Sequence, residues 1–105
     1  MTSTLVFIAN EPRAYRETIT SALRTLRPHA EVIAIEPADL DAEVQRRRPD
    51  VAICSQLSCT IEDVVPSWVL LYPDGANMTV VSVGGQRSIT GNLALHDLAA
   101  VISPA

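Results

Sequence analysis

The sequence predicts an α/β domain with a mixed sheet. Its front half is βαβαβ with parallel strands in the order 2-1-3, extended by an antiparallel β-meander and a C-terminal helix. Three observations predict this. LVFIA (Leu5 to Ala9), EVIAI (Glu31 to Ile35) and VAIC (Val51 to Cys54) are apolar runs of strand length with almost no polar alternation, as in strands covered on both faces. The segments between them are long enough for helices and for the right-handed crossovers that parallel neighbours require. Beyond Ser67, strand-like runs are separated by only a few residues, and such short connections force antiparallel neighbours. With 105 residues the chain can build one core but not two, so residues 1–105 read as a single domain.

After the first strand, Asn10-Glu11-Pro12 combines a capping residue, an acid suited to the positive end of a helix, and a proline tolerated in its first turn. Tyr15, Ile19, Ala22, Leu23 and Leu26 recur at helical spacing as one apolar stripe, which Pro28 ends. The second strand follows. Pro37 to Arg48 reads as a second helix with Leu40 and Val44 inward. Its acids lie in the first half and Arg46, Arg47 and Arg48 at the negative pole of its dipole. Pro49 stops it before the third strand.

Gln56 to Ser67 is irregular or holds one short helix. Trp68 to Tyr72 and Met78 to Val83 read as strands joined through the turn Pro73-Asp74-Gly75, and Gly84-Gly85 turns again into Arg87 to Thr90. A competing pattern makes residues 60–72 a degenerate helix and 78–83 a parallel strand. Leu95, Leu98, Ala99 and Ile102 then mark a last helix, ended by Ser103-Pro104.

Composition narrows the chemistry. Hydrophobic residues make up 48 % of the chain and aromatic ones 4 %, so the core is predicted to be mainly aliphatic. A net charge of −4 argues against a nucleic-acid backbone as partner. All 8 basic residues are arginine, and without lysine neither Schiff-base chemistry nor a P-loop is available. No apolar run approaches the ~20 residues of a membrane span, and MTSTLVFIAN lacks the basic lead and cleavable segment of a secretion signal. A cytoplasmic protein is expected. Cys54 and Cys59 are too few for a zinc site without His29 or His96, neither of which lies at ligand spacing. They read as a buried strand cysteine and a half-exposed loop cysteine rather than a redox pair.

VFIANEPRAYRETITSALRTLRP followed by PDVAICS resembles the front half of a response-regulator receiver, the flavodoxin-like domain of bacterial phosphorelays. In that family the first strand ends in an acidic pair that holds Mg²⁺, a Glu-Pro pair often opens the first helix, and the third strand ends on the phosphoacceptor aspartate. By that resemblance the acidic pair falls on Ala9 and Asn10 and the phosphoacceptor on Ser55. The Ser/Thr of the fourth strand could at best be Ser82, and the family's lysine has no counterpart. Aspartyl phosphorylation needs a carboxylate nucleophile and hard anionic oxygens for the cation, and these positions supply neither. The resemblance therefore implies a stand-alone degenerate receiver of bacterial type, with no catalytic residue, metal or cofactor.

In open α/β sheets, ligands sit at the carboxyl ends of the parallel strands beside the switch in strand order. Here that rim carries Asn10, Glu11, Glu36, Ser55 and Gln56. Asn10 and Ser55 would face each other there and could bind a small polar ligand, or Asn10 caps the first helix and Ser55 the loop. Gly84-Gly85 is a turn before it is a phosphate cradle. Trp68, Leu70 and Tyr72 place two of the chain's few aromatics in what would be a near-edge strand. They either complete the core or form a contact surface. The expected function is a non-catalytic interaction module whose partner is another protein or a second copy in a homodimer. The alternatives are a small-molecule or nucleotide sensor using the Asn10/Ser55 rim, and a thiol enzyme using Cys59.

Overall fold

The computed structural model describes residues 4–71, 78–91 and 95–102. Tyr72, the Pro73-Asp74-Gly75 turn and the side chain of His96 lie outside the described residues. The order is β1 (Leu5–Ala9), α1 (Arg13–Leu26), β2 (Glu31–Ala34), a 3-10 turn (Pro37–Asp39) running into α2 (Leu40–Arg47), and β3 (Val51–Cys54). There follow α3 (Cys59–Val64), β4 (Ser67–Leu71), β5 (Thr79–Val83), β6 (Gln86–Thr90) and α4 (Leu95–Ile102). The six strands form one sheet in the order β2-β1-β3-β4-β5-β6. β2, β1, β3 and β4 are parallel, and β5 and β6 are antiparallel additions. The mixed α/β sheet with a parallel 2-1-3 front, a meander and a C-terminal helix is the predicted one.

Period-two alternation sends successive side chains to opposite faces. Val6 and Ile8 of β1 and Val51 and Ile53 of β3 join Ile19 and Leu23 of α1 and Leu98, Ala99 and Ile102 of α4 in one core layer. Phe7, Ala9, Ala52, Cys54 and Trp68 join Leu40, Val44 and Ile61 of α2 and α3 in the other. Helices on both faces explain why β1 and β3 are apolar runs without alternation. Asp50, at the Pro-Asp entry to β3, aligns β1 and β3. Its carboxylate accepts the Leu5 N–H at 2.9 Å while its own N–H donates to the Leu5 carbonyl at 2.8 Å.

Three details differ from expectation, and one alternative is resolved. α1 begins at Arg13, and its N-cap position is Pro12 with no side-chain cap, so Asn10 does not cap it. The buried side of α1 is Arg16, Ile19, Thr20 and Leu23, while Leu26 of the predicted stripe is exposed. The segment after β3 holds the short helix and the strand that its main reading allowed. Ser58 caps α3 through its side-chain oxygen, and β4 returns parallel to β3, so the degenerate-helix pattern is not adopted. β4 is consequently an interior strand rather than a near-edge one, and the edge on that side is β6. Among the described residues, no helix is long and apolar enough to cross a membrane.

Candidate functional site

The rim at the carboxyl ends of β1, β3 and β4 is where the sequence places its polar candidates, and the structure ties most of them to one another. The Asn10 side chain is fully buried. Its Nδ2 donates to the Leu71 carbonyl at 3.3 Å, reaching past the end of β3 to the end of β4. Its Oδ1 is buried without a hydrogen-bond partner. Ser55 follows β3 and is also buried; its Oγ accepts the Glu11 N–H at 3.1 Å. Asn10 and Ser55 thus share the rim, each bonded to another neighbour.

Arg16 completes the arrangement, and the sequence reading passed over it. Its side chain is 4 % exposed; one guanidinium nitrogen donates to the Asn10 carbonyl at 3.3 Å and another to Glu36 Oε1 at 3.2 Å. Burying a guanidinium is tolerable only where its donors are used, and here backbone and carboxylate both take them. The signal was legible in principle. Arg16, Ile19, Thr20 and Leu23 follow i, i+3, i+4 and i+7, so a charge lies in line with the buried stripe. Glu36 meets Arg16 with 62 % of its side chain in solvent. Gln56 is exposed at the mouth of a cleft of about 150 Å³ lined also by Leu40, Asp41, Ser55 and Ser58. Asp41 accepts the Ser58 hydroxyl at 2.7 Å across that cleft.

The remaining candidates lie apart from the rim. Trp68 is 3 % exposed and belongs to the core layer beneath α2 and α3. Arg87 of β6 lies over its ring, 5.2 Å from the centroid, and pairs with Glu62 of α3. Leu70 is half-buried on the same layer. Ser82 pairs with Trp68 in the β4–β5 ladder, near the amino end of β4 and so at the opposite end of the sheet from Ser55. The resemblance's fourth-strand hydroxyl position is therefore not filled by Ser82, because β5 runs antiparallel. Thr79 stands opposite Leu71 instead, with its hydroxyl donated to the Gly91 carbonyl at 3.1 Å.

Cys54 is buried in β3, and burial pushes its thiol up to about 12. The thiolate is the reactive form, so Cys54 is inert near neutrality. Cys59 is exposed and opens α3 rather than lying in a loop. Among the described residues, no three His, Cys, Asp or Glu side chains gather as metal ligands. No family model, curated protein or solved structure matches this chain.

Proposed function

We propose that the chain is a receiver-like module that takes no phosphoryl group and acts through protein contact. The observation that carries this reading is the internally closed rim. Where a phosphorelay receiver would hold Mg²⁺ and its aspartate, Asn10 donates to Leu71, Ser55 accepts from Glu11, and Arg16 spans the Asn10 carbonyl and Glu36. Each bond joins two parts of the same domain, so these groups set the strand ends instead of waiting for a substrate. The parallel β2-β1-β3-β4 order with crossover helices supports the scaffold half of the reading, and the antiparallel β5 departs from it. The test is incubation with Mg²⁺ and acetyl phosphate. Melting temperature and intact mass stay unchanged, whereas a gain of one phosphoryl group or stabilisation by Mg²⁺ would overturn the reading.

One observation favours the sensor alternative: the buried, unpartnered Asn10 Oδ1, on a rim that also borders the Gln56 cleft. At about 150 Å³ the cleft is smaller than the ~300 Å³ or more of ordinary small-molecule sites. A nucleotide is therefore a poor fit, and a rise in melting temperature with ATP or cyclic nucleotides would establish this second reading over the first.

A further inference from the structure

The two edges of the sheet are finished differently. At the β2 edge, Glu31 and Ile35 donate to β1 partners, so the groups of Val32 point outward. The Val32 carbonyl is taken there by Arg24 Nε at 2.9 Å. At the other edge, all of β6 is exposed, with Ile89 72 % in solvent. Natural edge strands are usually guarded by charge, proline or a bulge. β6, with sequence QRSIT, has neither proline nor acid. Its single charge, Arg87, is drawn back over Trp68 and onto Glu62 of its own domain.

The register shows which groups are open. The hairpin turns through Gly84 and Gly85, both at positive φ (58° and 89°), as a two-residue connection between Val83 and Gln86. The pair flanking such a turn is hydrogen-bonded, and bonded and non-bonded pairs then alternate along the ladder. Val83/Gln86, Val81/Ser88 and Thr79/Thr90 are the bonded pairs, so the N–H and C=O of Arg87 and Ile89 face away from β5.

We propose that β6 is a dimerisation edge: two copies of this chain pair antiparallel through β6 about a two-fold axis at Ser88, joining their six-stranded sheets into one. This deepens the reading above by naming the partner as a second copy, and rests on it. The chemistry favours a copy because the edge complements itself. Centred on Ser88, each Arg87 lies opposite the partner's Ile89, and the outward groups of both residues are all used. Centring on Arg87 would set Ile89 opposite Gly85 of the second copy's turn, and centring on Ile89 would call on Gly91, whose carbonyl already receives the Thr79 hydroxyl. Each chain carries a net charge of −4, yet residues 78–91 contain no acid, so two copies meeting at this strand set no carboxylate of the strand against another.

The test is sedimentation across a concentration series. Wild type forms dimers, with Arg87 and Ile89 amides gaining protection from exchange as concentration rises. Ile89→Pro removes an outward N–H without touching a β5 bond and is monomeric. In case proline disturbs the strand, Ile89→Lys and Ile89→Glu keep the N–H. Opposite Arg87 of the partner, lysine weakens and glutamate strengthens association, each by about fivefold for two symmetric cross-strand pairs. A wild type monomeric at every concentration, a dimer that survives Ile89→Pro, or equal weakening by lysine and glutamate would overturn the proposal. None of these touches the contact-module reading, which falls instead on uptake of a phosphoryl group.

Discussion

The parallel and antiparallel parts of this sheet are stabilised in different ways. β1 and β3 are buried on both faces because each parallel return requires a crossover, and the crossover helix becomes the cover. β6 is reached by a two-residue turn that brings no cover, and every residue in it is exposed. Connectivity decides burial here, more than residue type: Ile53 and Ile89 are the same side chain, one fully buried and the other 72 % exposed. The parallel strands are covered on both faces, and β6 is left uncovered.

Substitutions at low protein concentration, followed by urea unfolding, sharpen that contrast. Phe7→Ala in the central strand is expected to cost about 3–5 kcal/mol, because its fully buried ring leaves a cavity between β1 and α2. A loss no larger than at a β6 position would break the comparison.

Cys54 in β3 gives the next effect. Its folded-state thiol stays protonated to about 12 against an ordinary 9.0, so between these values the native state binds more protons than the unfolded chain. The thiol's contribution is fully present below about pH 9 and is lost as pH rises toward 12, with a limiting slope of about 1.4 kcal/mol per pH unit. Cys54→Ala is expected to flatten this alkaline decline, measured as the unfolding midpoint from neutral pH upward, and an unchanged slope would refute the assignment.

Ser55→Ala strands the Glu11 N–H, and a loss of about 1 kcal/mol is expected. A neutral or stabilised variant would mean that the rim bond is not structural. Smallest of all, Ile89→Ala is expected to shift the monomer's stability by no more than about 0.5 kcal/mol, since 72 % of the residue lies in solvent. A change above 1 kcal/mol would place β6 inside the cooperative core.

Much of the front half was legible because its signals are local. The apolar runs of β1 and β3, Leu40 and Val44 on α2, and the buried Cys54 are all where their spacing put them. Asn10 shows the limit. Its position after a strand and before Glu-Pro reads as a cap, but the side chain instead meets Leu71, 61 residues later. Arg16 was lost for a related reason, since its partners are a backbone carbonyl and a carboxylate 20 residues on. Whether Trp68 lay near an edge or completed the core was open from local pattern, and the third crossover, through the short α3, places β4 inside the sheet.

Strand and helix identities and the parallel front could be read from residue order alone, because periodicity, caps and side-chain chemistry act over a few residues. Which polar groups close the rim, which strand ends the sheet and which way Arg87 turns were settled by folding. They depend on register and crossover partners that bring distant residues within hydrogen-bonding reach, so a local pattern such as the one holding Arg16 marks a buried group without naming its partners.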